Sequence, residues 1–272
     1  MRARAARCPA RITLRQLEPP APFHRFHEHF AIDLPGARAV FTTRRGGHSD
    51  GPYASLNLGL NTEDDPVTVG RNRATLSALV GAPLATVHQV HGTVIHELRE
   101  PLAPEPPPDG DGLLITRAGS APAVLVADCL PVVVAAPGAL AVLHAGWRGL
   151  AGGILAAGVA AIRELEPTGA VAAAIGPGAG RCCYEVGPDV AAAFAGYGDE
   201  VLAGRALDLK LIARRQLERA GVDEVHDIGL CTICSDPGLL YSHRRDGGVT
   251  GRQAGVGWLT EDASGPAERW PS

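Results

Sequence analysis

The chain has 272 residues, 46% of them hydrophobic and 20% charged, with a net charge of -4. That is ample apolar material for a full core, in one large or two small domains, and too little net charge for a disordered chain. It offers no basic footprint for nucleic acid and no run of roughly 20 apolar residues able to span a bilayer.

Residues 1–30 are rich in Arg, Pro and His and show no periodicity, so they read as a poorly structured leader to a single domain over 31–272. Five arginines before residue 16 have no apolar segment behind them, which argues against a secretory signal. After Pro35-Gly36 the run 37–43 reads as a strand, followed by a glycine-rich loop over 44–51. Apolar residues at Val69, Leu76 and Leu79 with charges between them predict a helix over 67–79. Segment 86–96 reads as a strand broken at Gly92, and the five prolines of 101–108 as an irregular loop. Runs 113–116, 123–127, 132–135 and 139–143 predict a buried sheet. Next come a helix over 149–165, a strand over 171–175, and helices over 188–194 and 207–220. Strands around 229–233, 238–242 and 254–259 close the chain. This order predicts an α+β fold: a single compact domain of layered mixed β-sheets flanked by helices.

Six cysteines spread over a chain of this length do not form a disulfide framework, and the expected location is cytoplasmic. Cys231-Thr232-Ile233-Cys234 is a single CxxC that reads first as two core thiols on a strand, with a redox or zinc role as the alternative, and adjacent Cys182-Cys183 reads as packing. His27-Glu28-His29 reads as a solvated stretch, and Gly176-Pro177-Gly178-Ala179-Gly180 as a turn rather than a dinucleotide fingerprint.

Chemistry concentrates in Gln89-Val90-His91-Gly92, Ala127-Asp128-Cys129-Leu130-Pro131 and His144-Ala145-Gly146-Trp147-Arg148-Gly149. Two imidazoles and a thiolate, with a fourth position left to water, make a catalytic zinc set. Pro137-Gly138 predicts a hairpin turn that pairs Ala136 with Ala139 and His144 with Pro131. Cys129 is then diagonal to His144 on one face, with α-carbons roughly 7–8 Å apart, unless the register slips by one residue. His91 comes from a separate segment, where His88 and His96 form a rival set.

Phe41-Thr42-Thr43-Arg44-Arg45-Gly46-Gly47, Ser55-Leu56-Asn57-Leu58-Gly59, the three segments above, Ile175-Gly176-Pro177, Tyr184-Glu185-Val186-Gly187 and Tyr241-Ser242-His243-Arg244-Arg245-Asp246 occur in that order. Over residues 37–259 this ordered set resembles the purine nucleoside phosphorylase family once named polyphenol oxidase or laccase-domain proteins, some of them called peptidoglycan editing factor. The resemblance implies zinc on His91, Cys129 and His144, which are also the expected catalytic residues. It further implies phosphorolysis of adenosine, inosine and methylthioadenosine, and deamination of adenosine. Purine nucleosides and phosphate are then the partners, with neither nucleic acid nor membrane, and a homodimer is left open.

Phosphorolysis needs an anion held in line with the ribose C1′. Arg44, in its glycine-rich loop, is the first candidate to hold it and Arg148 the second. Asn57 is a candidate substrate contact, and Asp111 and Glu185 both qualify as proton carriers. Multicopper oxidation needs several coppers and many paired imidazoles, so copper is expected only incidentally. A metal-free Cys129–His144 hydrolase or deamidase, a cell-wall precursor editing enzyme, and a non-catalytic partner in cell-wall synthesis are the alternatives.

Overall fold

The apolar runs fold into two six-stranded mixed sheets stacked face to face. The structure is a computed structural model that describes residues 18–99, 106–260 and Trp270. Strands β1 (His24–Phe26), β2 (His29–Leu34) and β3 (Ala37–Phe41) precede helix α1 (Pro66–Val80) and the short strands β4 (Leu84–Ala85) and β5 (Ile95–Glu97). There follow β6 (Gly112–Ile115), β7 (Ala121–Val126), β8 (Leu130–Ala136), β9 (Ala139–Ala145), α2 (Trp147–Gly152), α3 (Ile154–Leu165) and β10 (Ala172–Ile175). The chain continues through α4 (Pro188–Ala193), β11 (Leu202–Ala203), β12 (Ala206–Leu207), α5 (Leu209–Arg219), β13 (Glu224–Asp227) and β14 (Gln253–Leu259).

One sheet runs β1-β2-β3-β14-β7-β4 and the other β13-β10-β8-β9-β6-β5. Phe30, Ile32, Phe41 and Val124 of the first meet Val133, Leu140 and Val142 of the second in a buried layer. The second sheet's outer face (Val132, Val134, Leu143) packs on Ile154, Val159 and Ile162 of α3 and Ile212 and Leu217 of α5. The first sheet's outer face packs on Leu76 and Val80 of α1. Since β8 is apolar on both faces, it is buried throughout, as its unbroken Val-rich run requires. The α+β class with layered mixed sheets is therefore as the sequence predicts.

The hairpin register also matches: Ala136 pairs with Ala139 and Pro131 with His144. Gly138 takes φ 86°, the left-handed value that the third residue of a type II turn needs. Helix α1 starts where Asp65 accepts hydrogen bonds from the Val67 and Thr68 amides and stops at left-handed Gly81.

Several expectations need correction. The single helix expected over 149–165 is two, because Gly153 at φ 88° ends α2 and starts α3. Segment 86–96 is mostly loop, flanked by the short β4 and β5. No strand forms at 229–233 or 238–242; these stretches are turns and irregular chain, half-buried at Leu230 and Ile233 and buried at Leu239, Leu240 and Tyr241, while β13 lies just before them. The described part of the expected leader carries β1 and the start of β2, and His29 is buried there with its Nδ1 accepting from the Thr43 amide at 3.3 Å. Much of the proline-rich 101–108 lies outside the described residues.

Candidate metal centre

Cys129 sits one residue before β8 and His144 one residue before the end of β9, so the hairpin delivers both from one end. His91 reaches them from the loop before β5, at φ 61°. The metal-binding atoms of the three lie within 4.8 Å of one another, and the two imidazole rings stand 4.8 Å apart at 76°. Neither His88 nor His96 joins them; His88 Nδ1 pairs instead with Asp109 at 2.7 Å, and His96 Nε2 with the Asp109 carbonyl at 2.9 Å.

Three devices hold the His91 loop in place. The side chain of Gln89 behaves like a strand, donating to the Leu125 carbonyl at 2.9 Å and accepting from the Leu125 amide at 2.8 Å. Asp111, 0% exposed, accepts from the amides of Val90, His91 and Gly92 at 3.3, 2.9 and 2.6 Å. Gly146 lacks the Cβ that would stand 3.0 Å from Cys129 Sγ and 3.1 Å from His91 Cδ2.

Asp111 also faces His144 Nδ1 at 2.7 Å. With Nδ1 as the donor, His144 turns Nε2 to the site, the carboxylate–imidazole relay usual behind a metal-ligating histidine. Burial alone would push the Asp111 carboxyl up, but the bonds from His144 and Gly92 hold it below the usual carboxylate range. Burial alone would likewise push the Cys129 thiol up; His144 and His91 reverse this and bring it to about 6. The His144 imidazole, pulled down by burial, is carried the other way by Cys129 and Asp111, to about 9. Without an ion these groups therefore favour a thiolate–imidazolium pair. With a cation, the thiolate and two neutral imidazoles are three ligands ready-made.

Asp128 braces the Cys129 turn from behind. At φ 101°, it accepts from Thr232 Oγ1 at 2.6 Å and from the Arg244 amide at 2.7 Å. His91, Cys129 and His144 line a cavity of about 770 Å³, together with Tyr184, Arg244 and Arg252, within the usual range of small-molecule sites.

The other sequence candidates lie elsewhere. Arg44 does not line the cavity. Its guanidinium bonds to the carbonyls of Ala54, Pro237 and Pro52 and stacks over Tyr241 at 4.4 Å. Asn57 is fully buried, donating to Thr62 and Asp64 and accepting from the amides of Gly59 and Arg252. Arg148 is exposed and stacks over Trp147 at 4.4 Å. Asp111 is enclosed behind His144, and Glu185 is exposed outside the cavity lining.

Arg252 was not a sequence candidate. Its Nη1 donates to the carbonyls of Thr250 and Gly251 at 2.9 and 3.0 Å, which leaves Nε and Nη2 without a protein acceptor among the described residues. No local signal marks it; room for its side chain comes from distant Gly59, whose missing Cβ would stand 2.8 Å from Arg252 Cγ.

A family model described as multi-copper polyphenol oxidoreductase laccase matches residues 38–260. A Deinococcus radiodurans protein named purine nucleoside phosphorylase is 42% identical over 231 residues, covering 80% of this chain and 87% of its own. A Xylella fastidiosa protein of the same name is 40% identical over 250 residues, covering 83% and 93%. Among solved structures, a Neisseria meningitidis protein, NMB0706, superposes with TM-score 0.77 at 37% identity, covering 85% of this chain and 99% of that one. YlmD from Geobacillus stearothermophilus also gives 0.77, at 33% identity, covering 89% and 100%.

Proposed function

We propose, from the premise that the chain belongs to the multi-copper polyphenol oxidoreductase laccase family, that it is a zinc-dependent purine nucleoside phosphorylase. Its substrates are adenosine, inosine and methylthioadenosine, with adenosine deamination as a second activity. The supporting names are those of the relatives, each called purine nucleoside phosphorylase. The observation that carries the reading is the convergence of His91, Cys129 and His144 on a cavity that also holds Arg252. The setting is cytoplasmic; no described helix is long and apolar enough to cross a membrane.

The donor set fits zinc: one sulphur and two nitrogens, a carboxylate behind one imidazole, and a cavity on the open side. A zinc ion bound there supplies Lewis acidity to an oxygen ligand. Copper is incidental in this reading, because among the described residues this is the one metal-type cluster that contains imidazoles.

Arg252 holds the phosphate through its open Nε–Nη2 edge, with Arg244 as a second cation at the same wall. Tyr184 offers a ring against which a purine can lie. In phosphorolysis a phosphate oxygen bonds to C1′ as the glycosidic C–N bond breaks, and the base leaves with a proton. Deamination exchanges the exocyclic amine for a water oxygen. Asp111 orients His144 and stays behind it throughout.

The test is chromatography of products from adenosine with and without phosphate. Adenine formed only with phosphate, and lost in His91→Ala, supports phosphorolysis, whereas inosine in both conditions supports deamination. A second reading has its own observation: Asp111, His144 and Cys129 also form a carboxylate–imidazole–thiol chain suited to a nucleophilic hydrolase. Activity that survives metal removal by a chelator would favour it.

A further inference from the structure

Behind the Tyr184 wall of the cavity, two turns bring four cysteines together. Cys182 and Cys183 come from the turn ending at Tyr184, and Cys231 and Cys234 from the turn around Thr232. Their sulphur atoms all lie within 4.8 Å of one another. In the sequence the two pairs are far apart and only Cys231 and Cys234 carry a metal-type spacing; the fold makes all four one cluster.

The backbone is built to hold that cluster. Gly178 and Cys231 form a parallel bridge, with the Gly178 amide donating to the Leu230 carbonyl at 3.2 Å and the Thr232 amide to the Gly178 carbonyl at 3.1 Å. Gly180 donates its amide to Cys231 Sγ at 3.2 Å, while the Cys183 and Tyr184 amides return to the Gly180 carbonyl. A Cβ on Gly180 would stand 3.0 Å from Cys231 Cβ and 3.3 Å from the sulphurs of Cys182 and Cys231. Glycine is what lets the turn close onto the sulphurs.

The dimensions suit a metal. Four thiolates bonded at about 2.3 Å to a tetrahedral zinc ion stand about 3.8 Å apart. Cys182 and Cys234 have their sulphurs 3.6 Å apart, and no two sulphurs of the group are more than 4.8 Å apart. A dication binds such a group as thiolates, displacing the thiol protons.

We propose that Cys182, Cys183, Cys231 and Cys234 form a second metal site, a closed tetrathiolate that takes zinc and fastens one wall of the cavity. Four sulphur ligands leave no position for water or substrate, so the site is structural. It grips two parts of the first site's surroundings. Tyr184 follows Cys183 directly, and Thr232, between the other two ligands, holds Asp128 beside Cys129.

Cys234 stands in a disulfide in this structure, so metal binding belongs to the reduced form. A dithiol reductant passes two electrons and two protons to that disulfide, giving two thiols and its own cyclic disulfide. Zinc then bonds the four sulphurs as the thiol protons leave to water.

The test counts metal in the full chain after reduction with a dithiol, gel filtration and exposure to zinc. Two zinc ions per chain are expected for the parent protein. One is expected for Cys231→Ser and for Cys182→Ser, and one, now on the thiolates, for His91→Ala. Oxidation of zinc-loaded His91→Ala with a thiol-specific oxidant should release its one zinc. Cobalt loaded into His91→Ala should show the intense sulphur-to-metal charge-transfer band of several thiolates. A single zinc in the reduced parent that survives Cys231→Ser, or a second zinc unaffected by Cys231→Ser, would overturn the proposal. Should the serine variants fail to fold, absence of the tetrathiolate cobalt band in folded His91→Ala would overturn it equally.

Discussion

Replacing Asp111 with Asn tests whether one buried carboxylate assembles the metal centre. The substitution preserves shape and removes charge. In the parent, Oδ1 receives the His91 amide and His144 Nδ1, and Oδ2 receives the Val90 and Gly92 amides. An asparagine has one carbonyl oxygen, so whichever way it turns, its NH₂ faces two N–H donors and two bonds are lost. Hydrogen bonds to charged groups contribute about 1.5–3 kcal/mol each, so the expected loss is roughly 3–6 kcal/mol. Zinc affinity should fall about 10–100-fold, because His144 loses its fixed tautomer and His91 its anchor. Urea unfolding of the metal-free protein and competition with a chromogenic chelator measure the two effects separately. A stability change within about 0.5 kcal/mol, the range of an inert surface substitution, together with unchanged zinc affinity, would refute the role assigned to Asp111.

Gly146→Ala should weaken zinc binding several-fold while leaving the unfolding midpoint nearly unchanged, because the new methyl presses on Cys129 Sγ and His91 Cδ2 and on little else. An unaltered zinc affinity would show that the loop yields freely. Arg252→Gln should raise the KM for phosphate about 10–100-fold, the equivalent of one charge-assisted contact, with the KM for nucleoside little changed. Equal effects on both would place Arg252 against the nucleoside instead. His29 supplies the pH prediction. Burial first, and then the nearby His27, lower its pKa in the fold from the ordinary 6.5 to about 4. The unfolded chain therefore binds the extra proton first, so this stability is full above about pH 6.5 and is lost as pH falls to about 4, a change of roughly 3 kcal/mol. In His29→Gln the pH slope of unfolding free energy across that window should flatten; an unchanged slope would assign it to other groups.

Much of the fold was legible because its signals are local. Pro137-Gly138 between two apolar runs set the hairpin register, and with it the approach of Cys129 to His144. Apolar Val69, Leu76 and Leu79 placed a helix over 67–79, and α1 runs one residue further at each end, Pro66–Val80. What stayed hidden depends on distant pairing. Strand β1 is three residues long and is ordered by its ladder with β2, so no periodicity reveals it. Apolar residues at 238–242 resemble a strand, yet Leu239, Leu240 and Tyr241 are buried in a turn. Arg44 sits in a glycine-rich loop that suggests an anion cradle, but its guanidinium is used up on carbonyls that no spacing rule foresees. Arg252 reaches the cavity only because buried Asn57, from a loop far away in sequence, holds its amide.

The hairpin that carries Cys129 and His144 divides the metal site by sequence distance. Those two ligands lie on either side of one turn, whereas His91 depends on β5 pairing with β6 and on Asp111 holding its loop. Any ion that an unfolded chain grips with that two-pronged claw subtracts from the stabilisation that the finished site can give. The folded protein's advantage over that claw rests on the third ligand. Zinc should therefore raise the unfolding free energy of the parent far more than that of His91→Ala at the same free-metal concentration. Equal increases would mean that the claw alone accounts for the grip.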